Sequence, residues 1–312
     1  MPELPEVHTT ATMLQKLLPG LRIKAVWTNY DSPHQRGKDN IKDPKFFRRF
    51  ARKISGARFK KIYRRGKNVL LDLDNGQTIL IHMKMTGHLL YGKYKKITNN
   101  QKTITKKEEW RVVEEGPLQD LKNQFIRFVI ALSNGKHLAL SDMRRFAKVT
   151  IIATKKITES EHLKKLGPEP LDPKFTFAKF RQRLMTNPRG KIKQVLMDPK
   201  VVAGIGNIYS DETLYLASIH PLSIVGKVPE KALRELFRAM KKILAKGIDL
   251  GGDSTSDYRN PFGVHGKFHH HHQAYRNTGN PCSRKSCGGT IHRVKLGGRS
   301  AHFCNIHQYE YN

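Results

Sequence analysis

Apolar residues recur at helical spacing near the start of the chain, where Val7, Ala11, Leu14 and Leu18 precede Pro19-Gly20, and this predicts an amphipathic helix over residues 5–18. Alternation over residues 22–30 predicts a strand, followed by a polar loop over 31–40. Asp43-Pro44 offers an N-cap and a first-turn proline for a second helix with Phe46, Phe47, Phe50 and Ile54 on one side. Two stretches, 70–81 around Asn75-Gly76 and 125–140 around Asn134-Gly135, alternate on either side of a turn dipeptide and predict hairpins closed by type I′ turns. Between them, residues 95–116 are polar with little periodicity and read as a long surface insertion or mobile loop. The first half is thus mostly antiparallel β.

The pattern changes after Ile152. Residues 154–172, with Gly167-Pro168 and Pro170, read as a linker, and Asp172-Pro173 caps a predicted helix running to Met185. Further helices are predicted over 191–197, 207–217 and 229–246, the last with Leu233, Leu236, Met240, Ile243 and Leu244 on one face. The second half is helical. Gly204-Ile205-Gly206-Asn207 lies between two of these helices, but Tyr209 stands where a dinucleotide fingerprint needs its third glycine, and no strand precedes it. A glycine turn entering a helix still presents backbone N–H groups; these suit a DNA phosphate, or the turn is a plain helix-turn-helix corner.

Charge narrows the partner. The 312 residues hold 58 Lys and Arg against 26 Asp and Glu, a formal net charge of +32, which calls for a polyanion. Residues 42–67 alone hold twelve Lys or Arg and one acid, Asp43, interleaved with aromatics, and read as a phosphate-contacting stripe. With no apolar stretch long enough to span a bilayer and no signal-peptide core after Met1, the chain is expected to be a cytoplasmic, nucleoid-associated protein with no membrane partner.

The cysteines fall together at the end, as Cys282-x4-Cys287-x16-Cys304-x2-His307 flanked by Gly288-Gly289 and Gly297-Gly298. Two close pairs of soft or borderline ligands around a hairpin fit one structural, four-coordinate Zn2+ whose positions are all filled by protein, which leaves no place for metallohydrolase chemistry. The run of histidines 269–272 has no matching partner pair and reads as surface.

The opening Met1-Pro2-Glu3-Leu4-Pro5-Glu6-Val7 carries the remaining chemistry. Taken alone it is a helix start, with Glu3 and Glu6 complementing the helix dipole. Removal of Met1 would instead leave Pro2 as a terminal secondary amine beside two carboxylates. An α-amino group has a reference pKa of about 7.7–8.0, so part of it is unprotonated near neutrality and can attack a carbonyl-like carbon to give an iminium.

These pieces together resemble the formamidopyrimidine-DNA glycosylase (Fpg/Nei) family over essentially the whole chain. The resemblance rests on the opening PELPEV, on Arg64-Arg65-Gly66-Lys67, on Met83-Lys84-Met85-Thr86-Gly87, on Asp142-Met143-Arg144-Arg145-Phe146, on GIGNIY within 192–221, and on the C-terminal finger with Arg299 five residues before Cys304. It implies an α+β multidomain fold: an N-terminal antiparallel β-sandwich with flanking helices (1–155), a linker (156–172), a helix-two-turn-helix domain (173–250), a lesion-covering loop and connection (251–273) and a β-hairpin zinc finger (274–312). It also implies a base-excision-repair enzyme, with glycosylase and abasic-site (AP) lyase activities, that removes oxidised purines from double-stranded DNA and acts as a monomer.

The implied roles are Pro2 as Schiff-base nucleophile, Glu3 as proton donor, Glu6 as support for the amine and its water, and Lys67 as elimination proton donor or phosphate ligand. Met85, Arg144 and Phe146 would fill the gap left by an extruded base, and Asn207 and Arg299 would grip phosphates. The sequence departs from the family pattern in its Cys3His finger with a widened first gap, in the 95–116 insertion, and in Ser256, which stands where a basic residue is common. A catalytically silent relative that recognises damaged DNA is the competing class, and joint retention of Pro2, Glu3 and Lys67 favours the enzyme.

Overall fold

The computed structural model describes residues 1–99 and 107–312. The chain divides into two compact units, one formed by Met1–Pro2, Glu6–Leu163 and Gly251–Gly266, the other by Glu3–Pro5, Lys164–Leu250 and Lys267–Asn312.

In the first unit the order is α1 (Leu4–Leu17), β1 (Ile23–Thr28), α2 (Pro44–Ile54), β2 (Phe59–Arg65), β3 (Asn68–Leu73), β4 (Gln77–His82), β5 (His88–Gly92), β6 (Tyr94–Asn99), β7 (Lys107–Val112), β8 (Ile126–Leu132), β9 (His137–Ser141) and β10 (Lys148–Ala153). Among the described residues these strands form two four-stranded antiparallel sheets, ordered β1-β8-β9-β5 and β10-β4-β3-β2, and a two-stranded β6-β7 ribbon. One core joins the sheets: Val69, Leu71, Ile79 and Ile81 share it with Leu89, Phe128, Ile130, Leu138 and Leu140. The helices close it with the side chains their spacing indicated, Val7, Ala11 and Leu14 from α1 and Phe46, Phe50 and Ile54 from α2. Asp43 is the N-cap of α2, its carboxylate accepting from Phe46 N at 2.6 Å and from Gly37 N at 2.7 Å, which holds its pKa below the ordinary carboxylate value.

Three sequence expectations change. Residues 95–99 and 107–112 of the 95–116 stretch belong to the β6-β7 ribbon, with residues 100–106 outside the described set. Its alternation is masked by charge, but Tyr94, Trp110 and Val112 cover the outer face of β5, β8 and β9 at Leu90, Val129 and Ala139, surface that otherwise faces water. The hairpin turns are not type I′, since Gly76 and Gly135 have positive φ (75° and 78°) while Asn75 and Asn134 do not; each is a longer turn with the glycine in the left-handed position. Finally, Asp172-Pro173 does not start a helix. Asp172 caps a turn by accepting from Lys174 N at 2.8 Å, and the helix starts later, with Thr176 as N-cap.

The second unit comprises α3 (Phe177–Leu184), α4 (Ile192–Met197), α5 (Asn207–Leu216), α6 (Glu230–Asp249) and the hairpin of β11 (Ile291–Leu296) and β12 (Arg299–Cys304). Leu4 joins its core with Phe180, Ile192, Val202, Tyr209, Leu236 and Met240. Among the described residues, no helix is long and apolar enough to cross a membrane.

Candidate active site and metal centre

In the second unit, Glu3 is 2% exposed and its carboxylate is clasped by the start of α5. Gly206 N donates to Oε2 at 2.7 Å and Ile208 N to Oε1 at 3.0 Å. Those are among the backbone N–H groups that the glycine turn presents, read from the sequence as suiting a DNA phosphate or as part of a plain helix-turn-helix corner, and here Glu3 accepts from them. The sequence explains the clasp through its glycines. A Cβ on Gly206 would stand 2.4 Å from the Glu3 carboxyl, and Gly204, at φ +96°, would push a Cβ to within 2.8 Å of Leu4.

Pro2 and Glu6 are buried in the first unit. Glu6 Oε1 accepts from Asp253 N at 2.7 Å, and the Tyr258 hydroxyl donates to the Glu6 carbonyl at 3.1 Å. Gly252, at φ +89°, leaves room for this contact, because a Cβ there would come within 2.9 Å of Glu6 Cγ. Burial drives the Tyr258 phenol above its ordinary pKa, so it stays a hydrogen-bond donor. Glu6 therefore anchors the base of the 251–266 segment, a role its position in the first turn of α1 did not reveal.

Lys67 lies at the tip of the β2-β3 hairpin in the two-residue turn Gly66-Lys67, between the paired Arg65 and Asn68. Gly66 has φ +55° and Lys67 does not, as a type II′ turn requires. Nearby His82 is held down to about 3 by burial first, then by the charges of Lys84 and Lys67. Met85 and Phe146 expose 38% and 49% of their surface, and the Arg144 guanidinium carbon stands 4.7 Å from the Phe146 ring centroid. Met85 and Phe146 line a cavity of about 430 Å3 with Met1 and the cations Lys38, Lys42, Lys84 and Lys148. The first unit thus brings together the chain start, two exposed apolar side chains and a concentrated positive field.

In the second unit, Asn207 is the first residue of α5, and its buried Oδ1 has no hydrogen-bond partner among the described residues. Arg299 is exposed and follows Gly297-Gly298, whose φ values of 56° and 75° close the β11-β12 hairpin as a type I′ turn. Cys282, Cys287, Cys304 and His307 place their donor atoms within 4.8 Å of one another. The Cys282 and Cys287 sulfurs lie 3.4 and 3.6 Å from His307 Nδ1, and the Cys287 and Cys304 sulfurs lie 3.5 Å apart. Those spacings approach the edges of a tetrahedron with bonds of about 2.0–2.3 Å to a central metal ion. His307 Nε2 donates to the Tyr215 carbonyl at 3.1 Å, which leaves the Nδ1 lone pair for the ion, and burial keeps the ring below the ordinary histidine pKa, in the neutral form that ligates.

Sequence reasoning missed the charges that tie α4 and α5 to this hairpin, because charged residues on short helices read as solvated. Lys193 Nζ, 1% exposed, donates to Asp211 Oδ1 and to the Ser300 carbonyl, each at 2.6 Å, while Asp211 Oδ2 accepts from His302 Nδ1 at 2.9 Å. Burial pulls the Lys193 ammonium below the usual lysine value and Asp211 opposes that shift. Glu212 is likewise buried and accepts from the amides of Gln273, Ala274 and Tyr275 at 2.8–3.0 Å. Lys193→Met leaves Asp211 short of its buried counter-ion and is expected to cost about 3–5 kcal/mol, read from urea unfolding of the second unit. A cost under 1 kcal/mol would show that the network is not structural.

Residues 1–149 match the formamidopyrimidine-DNA glycosylase N-terminal domain, and residues 166–259 match the formamidopyrimidine-DNA glycosylase H2TH domain. The chain is 34% identical to the formamidopyrimidine-DNA glycosylase of Herpetosiphon aurantiacus over 308 residues, covering 99% of this chain and 100% of that protein. Among solved structures it is similar to a Lactococcus lactis Fpg variant in complex with Fapy-dG containing DNA (TM-score 0.80, 29% identity, 99% of this chain and 100% of that one). It is also similar to MutM in complex with carbocyclic 8-oxo-G containing DNA (TM-score 0.77, 29% identity, 97% of this chain and 98% of that one).

The antiparallel sheets, the helical unit and the Cys3His cluster able to bind a metal ion define a DNA-binding repair glycosylase. The chain belongs to the formamidopyrimidine-DNA glycosylase family, whose members cleave N-glycosyl bonds in DNA.

Proposed function

We propose that this glycosylase removes oxidised purines, 8-oxoguanine and formamidopyrimidines, and then cuts the strand as an AP lyase through an iminium on Pro2. The clasped carboxylate carries the reading: Glu3, next in the chain to Pro2, is fixed by two backbone N–H donors behind a glycine with no room for a side chain. The Fapy-dG and 8-oxo-G in the DNA bound by the two structural relatives support the lesion class.

Removal of Met1 frees the Pro2 secondary amine, which attacks C1′ of an extruded nucleotide. The N–C1′ bond forms as the base departs with the glycosidic electron pair, and Glu3 protonates the sugar ring oxygen as the C1′–O4′ bond opens to the iminium. Loss of a C2′ proton expels the 3′ phosphate, with Lys67 donating a proton or holding the phosphate; a second elimination expels the 5′ phosphate. Glu6 supports the amine while anchoring the 251–266 segment.

Extrusion forfeits stacking and pairing of a few kcal/mol, which Met85, Arg144 and Phe146 offset by occupying the gap. Asn207 and Arg299 take phosphates, and the donor set formed by Cys282, Cys287, Cys304 and His307 fits one structural Zn2+, which when bound would rigidify the Arg299 hairpin. The enzyme works as a monomer on double-stranded DNA containing oxidised bases or abasic sites, in the cytoplasm at the nucleoid and without a membrane partner. Borohydride is expected to trap a covalent adduct between the Met1-processed protein and abasic-site DNA, seen as a shifted band on denaturing gels. Failure to trap, in protein shown by mass to lack Met1, would favour the silent DNA-recognition protein. A panel of duplexes bearing 8-oxoguanine, formamidopyrimidine, oxidised pyrimidine or an abasic site ranks the substrates.

A further inference from the structure

The exposed side chains Met85, Arg144 and Phe146 sit on two loops of the first unit that carry a non-glycine residue in left-handed backbone, Lys84 at φ 55° beside Met85 and Arg145 at φ 58° between Arg144 and Phe146. Residues with a Cβ occupy that region at a cost and persist there only where the surroundings hold them. Here the holding group is one buried carboxylate. Asp142 is fully buried; its Oδ1 accepts from Thr86 Oγ1 at 2.6 Å, and its Oδ2 accepts from the Tyr30 hydroxyl at 2.6 Å and Ala147 N at 2.8 Å. Thr86 Oγ1 in turn accepts from Arg144 N at 3.0 Å, so this hydroxyl bridges the Met85 loop to Asp142 and Arg144, and the Asp142 carboxylate carries the tie on to Ala147 at the far end of the 142–147 loop. Lys42 Nζ adds a 2.6 Å bond to the Arg145 carbonyl at the strained position itself.

We propose that Asp142 and Thr86 are positioning residues that lock the two loops into one rigid wedge, and that the step they serve is extrusion of the damaged base. This rests on the gap-filling role assigned above to Met85, Arg144 and Phe146. A wedge made of two independently moving loops would follow the bases back into the stack. Tied through a buried carboxylate, the loops enter and leave the duplex together, and the entropy of ordering them is spent in folding, before DNA is met.

The test compares Thr86→Val, which keeps the shape and removes both hydroxyl bonds, with Thr86→Ser, which keeps the hydroxyl. Three readouts are taken: single-turnover excision from a fully paired lesion duplex, the rate of 2-aminopurine fluorescence rise beside the lesion, and strand cleavage at an abasic site, where no base remains to be extruded. Thr86→Val is expected to slow excision and the fluorescence rise together by about tenfold, the worth of a buried hydrogen bond, with abasic-site cleavage changed much less and with Thr86→Ser close to the unsubstituted protein. Equal slowing on both substrates, or an unchanged fluorescence rate, would overturn the proposal. If Thr86→Val melts early, Tyr30→Phe, which removes one bond to Asp142 and leaves the loops' own residues intact, is expected to show the same split to a smaller degree; no split there overturns it as well. Because 2-aminopurine reports extrusion without chemistry, a protein that failed the borohydride test would still reveal the latch or its absence.

Discussion

Gly206→Ala is expected to reduce base excision by about a hundredfold while leaving the protein folded. The added methyl carbon would sit 2.4 Å from the Glu3 carboxyl, and Gly206 itself has φ −134°, ordinary extended backbone that alanine adopts freely. The strain is therefore relieved by moving the flexible end of Glu3, the group proposed to protonate the sugar ring oxygen. Displacing a catalytic group by about 1 Å can cost on the order of a hundredfold. Single-turnover excision measures the loss and circular dichroism checks the fold. The decisive comparison is non-additivity: in a Glu3→Gln background, Gly206→Ala is expected to add little, because the group it displaces no longer acts. Full activity in the single variant, or full additivity in the double, would show that the clasp does not position the acid.

Chelation of metal from the Cys3His cluster, or Cys304→Ser, is expected to lower affinity for lesion-containing duplex at least a hundredfold while the melting of the first unit is unchanged. Cys304 is fully buried at the end of β12 and clusters with Tyr215, Ala274 and Ile291, a small apolar set for a hairpin to stand on. Structural zinc supplies about 10–16 kcal/mol of apparent folding free energy in small fingers, which such a set does not replace. Without it the turn that presents Arg299 frays, and a loosened hairpin must be ordered again each time DNA binds. Fluorescence anisotropy after dialysis against chelator, with metal content measured in parallel, reads the change; undiminished binding by metal-free protein would remove the finger from the DNA-binding account.

Many of the candidate site's residues stand out in the sequence because they travel in short local strings. The four metal-ligand candidates announce themselves by spacing, and the Gly66-Lys67 and Gly297-Gly298 turns by glycine at the tip of a hairpin. What stayed hidden was long-range pairing. Glu6 reads as an ordinary first-turn acid until Asp253 N is found 2.7 Å away, 247 residues further along the chain. The 95–116 stretch reads as loop because its charges mask the alternation, and only the apolar outer face of β5, β8 and β9 explains why Trp110 and Val112 turn inward.

The sequence by itself determined the class of fold, the strongly basic charge and the family, and it nominated the candidate site residues. These follow from periodicity, charge and local motifs, each set by neighbours a few residues apart. The tertiary structure alone decided what each candidate site residue touches. It gave amides at the start of α5 to Glu3, turned Asp142 into the tie between two strained loops, and buried Lys193 against Asp211. The physical reason is common to all three: a buried polar group must find its hydrogen-bond partner wherever the packed chain brings one, and sequence separation places no limit on where that is.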